Sequence, residues 1–446
     1  MLSHIFRSYD IRGVYGKDID EAIAEKIGIS LALKINGDIA VARDMRLSSE
    51  RIMDALIKGI RKGGRDVYFL GLVPLGPAMY FSWKNGKYLA YVTASHLPKE
   101  WAGVKFFHPD GCGFIDKENY GIRDTFMGLG AITHAEQNGK LMCIDDEEIQ
   151  AEYKQYLLGK IQAKKKRIVL DCGNGMAGMI VKDLFESAGF DVTILFEELD
   201  GSFPNRDSEP NDESLTGLKK AVIGKDFGIA FDGDGDRMVF VDDTGKVATP
   251  EQIAYILLGH LLKKGKRPVV ANVECSRIID TIVKKFSASV YRVQVGHPYI
   301  VKEAARRKAC LGIETSGHYV LPDLFPFDDA IGISLYAAAL LSNNERKLSE
   351  LIRSIPAYPF RRINFECADD KKFAVIKNLE KAFSKTYKNI STLDGVRVDF
   401  KEGWVLARVS NTSPLIRLTM EAENEKEFKR IEKEFSKKVG DAITSS

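Results

Sequence analysis

A serine and a histidine stand side by side in a polar segment between two apolar runs. Ser95 and His96 follow residues 87–92, which read as a strand, and Lys105 lies in the second run, residues 104–107. A serine alone is a weak nucleophile or phosphate carrier, and it becomes useful when a base or a cation lies close to it. The segment therefore predicts a reactive serine, or else a surface loop whose polar side chains only cap backbone groups.

Three aspartates alternate with glycines in a second segment. Asp232, Asp234 and Asp236 lie between the apolar runs 227–231 and 238–241, which read as strands. Three carboxylates this close repel one another unless a cation lies among them. Oxygen ligands suit a hard divalent ion, Mg²⁺ or Ca²⁺, and the glycines allow the backbone to turn tightly enough to aim all three inward. The pattern predicts a divalent metal site.

Two other interpretations of the acidic segment stay open, a helix–loop–helix calcium site and a purely structural turn. The calcium loop needs a glycine where Arg237 stands and a glutamate where Asp243 stands, and its flanks should be helical. Arg237 directly follows the aspartates, and a cation beside a metal site fits a phosphate held between the two.

Two more glycine- or serine-rich loops carry groups that suit a phosphorylated sugar. Residues 312–318 offer an acceptor, a hydroxyl and an imidazole for sugar hydroxyls, and residues 408–414 offer a guanidinium with donors for a phosphate. Each loop taken alone also fits an ordinary polar turn. The candidate residues are Glu314, Ser316 and His318 in the first loop, and Arg408, Ser410, Asn411 and Thr412 in the second.

The order and spacing of these loops resemble the α-D-phosphohexomutases, and among them the phosphomannomutase/phosphoglucomutase group. The resemblance covers the whole chain, and it also rests on residues 6–13, 41–48, 171–178, 200–205 and 295–297. It implies three related α/β domains with mixed sheets and a smaller C-terminal α+β domain around a central cleft. We expect the domains at residues 1–145, 146–246, 247–358 and 359–446.

The resemblance also implies a mechanism. Ser95 carries a phosphoryl group, and Mg²⁺ bound by Asp232, Asp234 and Asp236 contacts the phosphorylated serine. A hexose 1,6-bisphosphate is the intermediate and activator. Lys105, Arg237 and Arg12 are expected to stabilise charge, and His96 or His318 to act as the acid/base catalyst. The sugar is expected to be bound by Glu314, Ser316, His318 and His297. The phosphate that does not react is expected to be bound by Arg408, Ser410, Asn411 and Thr412.

Three other functions compete with that of a mutase acting on mannose and glucose phosphates. A metal-dependent sugar phosphatase would use the aspartates but would have no use for the Ser95 loop. A non-catalytic phosphosugar-binding protein would not need Ser95, His96, Lys105 and all three aspartates. Phosphoglucosamine mutase is the nearest rival, and that group tends to carry glutamine where Thr315 stands.

Composition limits the partners and the location. The 446 residues include 65 basic and 62 acidic side chains, for a net charge of +3, so nothing predicts a nucleic-acid partner. No apolar stretch approaches the roughly 20 residues that span a membrane, and no signal-peptide core begins the chain. The six cysteines show no CxxC pairing, which favours reduced thiols and a cytoplasmic protein. We expect small hexose phosphates as partners, with the chain a monomer or a homodimer.

Alternating strand and helix patterns fill most of the chain. Blocks at residues 38–62, 167–188 and 268–286 each read as strand, loop and helix, which predicts parallel sheets covered by helices. The second block predicts an unbroken helix over residues 176–188. From residue 360 onward the pattern changes to several strands with two helices, at 372–387 and 423–439, which predicts an α+β unit.

Overall fold

The structure, a computed structural model, describes residues 2–130, 138–410 and 414–445. We call the parts built on its four β-sheets the first to fourth units. The first unit opens with a 3₁₀ turn, Leu2–Ile5. Its other elements are β1 (Ile11–Val14), α1 (Glu21–Lys34), β2 (Ile39–Arg43), α2 (Ser49–Lys62), β3 (Val67–Leu72), α3 (Leu75–Asn85), β4 (Tyr88–Val92), β5 (Trp101–Phe107), α4 (Lys117–Gly128) and β6 (Leu141–Cys143).

The first sheet has the strand order β1-β5-β4-β2-β3-β6. Its parallel half joins β4, β2, β3 and β6, while β5 runs antiparallel to both β4 and β1. Helices α1 and α2 cross closely on one face because Gly28 and Gly59 meet there. A Cβ on Gly59 would lie 2.0 Å from the carbonyl oxygen of Glu25, so a larger residue would force the helices apart.

The second unit contains α5 (Asp146–Leu158), β7 (Arg167–Asp171), α6 (Val181–Ser187), β8 (Asp191–Leu195), α7 (Thr216–Ala221), β9 (Phe227–Phe231) and β10 (Met238–Asp242). The prediction of one helix over residues 176–188 is wrong, because a 3₁₀ turn, Met176–Met179, precedes α6. Gly178 lies in this turn against the backbone of Glu197, at a distance of 2.1 Å from an added Cβ to the carbonyl oxygen. This close approach of two backbones is the reason why the regular α-helix begins only after Gly178.

The third unit contains α8 (Pro250–Lys264), β11 (Val269–Asn272), α9 (Ile278–Lys285), β12 (Val290–Val293), α10 (His297–Arg307), β13 (Leu311–Ile313), β14 (Tyr319–Val320), α11 (Ala330–Ser342) and α12 (Leu348–Arg353). Its sheet, in the order β12-β11-β13-β14, and the second sheet, in the order β10-β9-β7-β8, share one design. In each, three parallel strands carry one antiparallel edge strand, β14 or β10. The expected α/β units with mixed sheets are confirmed.

The fourth unit is the expected α+β unit, with an entirely antiparallel sheet in the order β15-β19-β18-β17-β16. Its final helix runs five residues beyond the predicted end. The elements are β15 (Phe360–Glu366), α13 (Lys372–Thr386), β16 (Ile390–Ser391), β17 (Val396–Asp399), β18 (Gly403–Val409), β19 (Leu415–Ala422) and α14 (Glu425–Thr444).

The hydrophobic cores show how the units are joined. One continuous core includes buried side chains from each of the first three units, for example Tyr91, Ile229 and Leu335. The fourth unit has a separate core between its sheet and its two helices. Its apolar contact with the third unit is a small cluster in which Trp404 and Leu406 meet Val273. The first three units therefore form one body, and the fourth is attached by a smaller contact.

The four loops singled out in the sequence share one structural setting. Each connects two neighbouring antiparallel strands: β4 to β5, β9 to β10, β13 to β14, and β18 to β19. A connection of a few residues can join antiparallel strands, whereas parallel strands need a crossover of a dozen residues or more. This is why the sheets are mixed: the strand–loop–helix blocks form the parallel strands, and each loop of the site leads into an antiparallel neighbour.

Candidate active site

Ser95 lies at the bottom of the first hairpin loop and is fully buried. Its backbone has φ of +51°, a left-handed conformation that is uncommon for residues other than glycine. Its amide donates to Thr93 Oγ1 at 2.8 Å, and its own hydroxyl donates to Asp232 Oδ2 at 3.0 Å. His96 Nδ1 lies 3.4 Å from the same Oγ. The structure thus brings Ser95 and His96 to the acidic loop.

The acidic loop wraps its backbone around one carboxylate. Asp232 Oδ1 accepts from the amides of Gly235, Asp236 and Arg237, each at 3.1 Å. Gly235 has φ of +80°, which a glycine adopts without strain. The loop is flanked by strands β9 and β10, so the helix–loop–helix alternative for this segment is wrong.

Lys105 supplies a buried positive charge to the aspartates. Its Nζ lies 2.8 Å from Asp234 Oδ2 and 2.5 Å from Asp236 Oδ2. Burial acts to lower the pKa of Lys105, but the two carboxylates outweigh it and raise that pKa. Burial alone would raise the pKa of Asp236, but Lys105 and the nearby histidines outweigh it and lower that pKa. This lysine and carboxylate are therefore an ion pair.

Burial and like charge act on the other two groups at the serine. Burial, together with the carboxylates of Asp236 and Asp234, raises the pKa of Asp232 well above its ordinary value. Burial lowers the pKa of His96 well below its ordinary value, and the cations Arg237, Arg12 and Lys105 add to the effect. His96 is therefore a neutral imidazole.

The three aspartates fit a hard divalent cation. One carboxylate oxygen from each lies within 4.8 Å of the others. Asp234 Oδ1 and Asp236 Oδ1 are buried and make no hydrogen bond within the part of the chain that the structure describes, although buried carboxylate oxygens normally have a partner. An all-oxygen set is the kind of ligand set that Mg²⁺ prefers.

Two histidines share one carboxylate on the opposite side of the acidic loop. His297 Nδ1 and His318 Nδ1 each lie 2.9 Å from Asp328 Oδ2, and their rings stack with centroids 4.8 Å apart. His318 Nε2 accepts from Arg237 Nε at 3.0 Å. Burial opposes protonation of His297, but Asp328 outweighs it and raises the pKa of that imidazole. The predicted residues His297, His318 and Arg237 thus meet at one place.

The two remaining sugar-binding candidates lie in the hairpin between β13 and β14. Glu314 is buried, and its Oε1 accepts from the amide of Gly296 at 3.1 Å. Ser316 Oγ is buried and has no hydrogen-bond partner among the described residues. A buried hydroxyl without a partner is unusual, and it would be satisfied by a hydroxyl group of a ligand.

The fourth unit places Arg408 beside two carboxylates. Arg408 Nη1 lies 3.5 Å from Glu274 of the third unit, and its Nε lies 3.3 Å from Asp394. Burial opposes the charge, but Asp394 and Glu274 outweigh it and raise the pKa of Arg408. The carbonyl of Ser410 accepts from Lys372 Nζ at 2.8 Å. The other two candidates of this loop, Asn411 and Thr412, lie outside the described residues.

A cavity of about 550 Å³ lies between the first and fourth units. Arg12 lines it and is held by Asp10, with Nε 2.7 Å from Oδ2. Ser410 lines the opposite side. The cavity is large enough for a small phosphorylated ligand. The predicted residues Arg12 and Ser410 therefore face one space, although they are almost 400 residues apart in the chain.

Two groups of the site were missed in the sequence. Asp328 joins both histidines, and its signal was a pair of acidic residues, Asp328 and Asp329, in an otherwise apolar segment. Thr93 links the serine to the acidic loop, since its Oγ1 donates to Asp234 Oδ2 at 3.1 Å. Thr93 has no such signal, because a threonine at the end of a strand is common.

Comparison with known families assigns every unit. Residues 3–129, 148–245 and 249–358 match the phosphoglucomutase/phosphomannomutase alpha/beta/alpha domains I, II and III, and residues 363–438 match the C-terminal domain of the same family. The chain therefore belongs to the phosphoglucomutase/phosphomannomutase family, whose members are phosphohexose mutases, and it is an enzyme.

Individual relatives agree over their full length. A probable phosphoglucosamine mutase of Methanopyrus kandleri is 33% identical, with 96% of each chain covered. A phosphomannomutase/phosphoglucomutase of Pseudomonas putida is also 33% identical, with 97% of this chain and 94% of the relative covered. The crystal structure of a family protein from Burkholderia thailandensis superposes with a TM-score of 0.88 at 27% identity, over 99% and 98% of the two chains.

More distant structures share the fold and hold ligands. An N-acetylphosphoglucosamine mutase of Aspergillus fumigatus, 15% identical with a TM-score of 0.62 over 97% and 95% of the chains, is described in complex with GlcNAc-6P and magnesium. A second structure of that enzyme, 14% identical with a TM-score of 0.59 over 98% and 95% of the chains, is described with glucose 1,6-bisphosphate.

Proposed function

We propose that this enzyme interconverts hexose 1-phosphate and hexose 6-phosphate through a phosphorylated Ser95 and a hexose 1,6-bisphosphate intermediate. The observation that supports it most is the burial of the Ser95 hydroxyl 3.0 Å from Asp232, beside Lys105 and two further aspartates. A buried serine among carboxylates is a poor nucleophile toward most substrates. It suits a phosphate carrier if cations balance the added negative charge, and Lys105 together with a divalent ion on the aspartates would supply them.

The residues around the serine have complementary tasks. His96, a neutral imidazole 3.4 Å from Ser95 Oγ, accepts the proton when that oxygen attacks a phosphoryl group. Lys105, Arg237 and Arg12 stabilise the charge on the transferring group. The alternative acid/base is His318, whose Nδ1 is held by Asp328 and whose Nε2 accepts from Arg237. It would serve the sugar hydroxyl through Nε2 once Arg237 turns to the phosphate.

Asp232, Asp234 and Asp236, with the phosphate of Ser95, would hold Mg²⁺. The bound ion supplies charge neutralisation to the phosphoryl group in transit. The loop holds the aspartates in position for the ion, because three of its backbone amides donate to Asp232 Oδ1. The buried, closed setting of Ser95 also excludes water, which would otherwise compete for the phosphoryl group.

The fourth unit would bind the phosphate that does not react. Arg408 offers a planar guanidinium, and Ser410, Asn411 and Thr412 offer further donors. Glu314 and Ser316 would bind the ring hydroxyls, and His297 would assist them. Because the intermediate must present each of its phosphates to Ser95 in turn, the same residues would hold either end of the sugar.

Mannose and glucose phosphates are the proposed substrates. Glucosamine phosphate is the second candidate, because relatives named phosphoglucosamine mutase match as well as those named phosphomannomutase/phosphoglucomutase. Conversion of mannose 1-, glucose 1- and glucosamine 1-phosphate should be measured side by side with Mg²⁺ and a trace of the matching bisphosphate. A kcat/KM for glucosamine 1-phosphate that exceeds both others would make the second candidate the correct one.

The phosphate carrier is tested by mass spectrometry of peptides from the active enzyme. We expect phosphate on Ser95, and we expect Ser95→Ala to lose turnover by several orders of magnitude with an unchanged thermal transition. A Ser384→Ala variant is a suitable control, since Ser384 is an exposed serine of α13 whose hydroxyl donates to the carbonyl of Glu380. Full activity in Ser95→Ala would refute the mechanism.

The organisation and setting of the enzyme are part of the proposal. The domain ranges 1–145, 146–246, 247–358 and 359–446 are supported because each sheet lies within one of them. In the described ranges no helix combines the length and apolarity of a membrane span. The six cysteines are all free thiols, which supports a cytoplasmic enzyme. Hexose phosphates are its proposed partners, as in the relatives described with GlcNAc-6P and glucose 1,6-bisphosphate.

A further inference from the structure

The backbone of the serine loop is held from one side by a single buried side chain. Arg46, whose side chain is fully buried, donates from Nη2 to the carbonyl oxygens of Ser95 and Leu97, each at 2.6 Å. Its Nη1 donates to the carbonyl oxygen of Pro98 at 2.8 Å. The two ends of one guanidinium therefore bind three carbonyl oxygens of one short loop.

Arg46 is itself fixed by a carboxylate and an aromatic ring. Its Nε lies 3.2 Å from Asp44 Oδ2, and both side chains are fully buried. The ring of Phe203, from the second unit, lies over the guanidinium with its centroid 5.2 Å from the central carbon. The planar fork of an arginine can satisfy several acceptors at once in this way, and a lysine cannot.

The carbonyl groups that Arg46 binds would otherwise oppose the chemistry. Each is a dipole with its negative end on oxygen, and Ser95 must carry a phosphate dianion within the same loop. The carbonyl of Ser95 is also covered by Gly233 of the acidic loop, where an added Cβ would lie 2.6 Å from that oxygen. With this carbonyl held by Arg46, and the amide held by Thr93, the left-handed backbone of Ser95 is fixed at both of its polar groups.

We propose that Arg46 is a positioning residue: it turns the serine-loop carbonyls away from the reacting phosphate and sets Ser95 Oγ in register with the aspartates. It acts through the backbone and does not contact the sugar. The second unit takes part in this positioning, because its turn that carries Phe203 packs on Arg46. An added Cβ on Gly201 in that turn would lie 2.7 Å from Arg46 Cα. The inference rests on the proposed role of Ser95 as phosphate carrier.

The test separates positioning from binding and from stability. In Arg46→Lys the charge remains, but one ammonium cannot bind three carbonyls in a fixed plane. We expect kcat to fall about 100-fold, the effect of displacing a reacting group by about 1 Å, and KM for the hexose phosphate to stay within about threefold. Single-turnover transfer from hexose bisphosphate to dephosphorylated Ser95 should slow by the same factor as kcat.

A matched control is Arg267→Lys in the third unit. Arg267 also donates to two carbonyls, those of Lys308 and Ala309, and pairs with Asp323, but it lies far from the serine loop in sequence and in a different unit. We expect its kcat to remain within about twofold of the parent, with both variants compared at the same folded fraction.

A second variant covers the case in which Arg46→Lys does not fold. Phe203→Leu removes the ring over the guanidinium and keeps every N–H group of Arg46 that donates to the carbonyls. We expect an intermediate fall in kcat, about fivefold, with KM unchanged. The inference is overturned if kcat in these variants equals that of Arg267→Lys, or if KM rises while kcat is unchanged. A different result would overturn the proposed function itself: a parent enzyme that shows no mutase activity or no phosphate on Ser95.

Discussion

Lys105 offers a quantitative test of the charge arrangement at the site. Its ammonium lies between Asp234 and Asp236 and is buried with them. Lys105→Met preserves the apolar stem and most of the volume, but it leaves buried carboxylates without their cation. Removing one partner of a buried ion pair costs about 3–5 kcal/mol. The first three units share one core and unfold as a body of about 350 residues, for which about 2.1 cal/mol/K of unfolding entropy per residue makes that loss a fall in Tm of about 4–7 °C.

The assay is thermal unfolding with EDTA and with excess Mg²⁺. In EDTA we expect the full loss of stability in Lys105→Met. In Mg²⁺ we expect the variant to regain part of it, because the ion no longer competes with an ammonium for the same carboxylates. At saturating Mg²⁺ the stabilisation of the two proteins differs by RT ln of the ratio of their Kd values. A site that binds Mg²⁺ tenfold more tightly in the variant would therefore make its Mg²⁺-induced rise in Tm larger by about 2 °C, the equivalent of about 1.4 kcal/mol.

Lys87→Met is the matched control. Lys87 Nζ lies 2.6 Å from Asp38 Oδ2, but this pair is partly exposed at the protein surface, where an ion pair contributes about 0–1 kcal/mol. We expect a small change in Tm that does not depend on Mg²⁺. Equal losses in Lys87→Met and Lys105→Met would refute the reasoning, and so would a Mg²⁺ effect as large in the parent as in Lys105→Met.

Three further outcomes are expected. Arg408→Ala should raise KM for the sugar phosphate about 30- to 150-fold in both directions, since losing a bidentate phosphate contact costs about 2–3 kcal/mol; an unchanged KM in steady-state kinetics would contradict this role. Asp234→Asn should raise the Mg²⁺ concentration needed for half-maximal activity, and activity that survives chelation would rule out the metal site. Burial raises the pKa of Asp329 to about 7, so its stabilising contribution is full below pH 4 and is lost as the pH rises through 7. Asp329→Asn should therefore flatten the fall in Tm between pH 5 and 8. Parallel profiles of Tm against pH in the variant and the parent would contradict this.

The site loops were predictable because their signals are local. Strand β9, Phe227–Phe231, has the bounds that its apolar run indicated, and Asp232, Asp234 and Asp236 follow it at once. Turn glycines and alternating carboxylates at short spacing indicate a loop that could hold a metal ion, and this signal does not depend on distant parts of the chain. The serine loop is similar, since Ser95 and His96 are adjacent in the chain and Lys105 lies on the next strand.

Long-range contacts could not be predicted from the same patterns. Arg46 stands about 50 residues before the loop that it holds, and an arginine near a helix start normally reads as a solvated side chain. Asp328 meets His297 and His318 only because the β13–β14 hairpin and the start of α11 lie side by side in the third unit. The break before α6 depends on the approach of Gly178 to Glu197, a tertiary contact that helix propensity cannot register.

The amino-acid sequence by itself determined the family, the four loops and the chemistry that their side chains can perform, because these depend on residue types at short spacing. Tertiary structure alone decided which groups meet: that Ser95 donates to Asp232, that Lys105 lies between two aspartates, and that Arg46 binds the serine-loop carbonyls. The physical reason is that burial decides these pairings. A charge or a strained backbone is tolerated in the interior only where the fold supplies its partner, and that partner comes from a distant part of the chain.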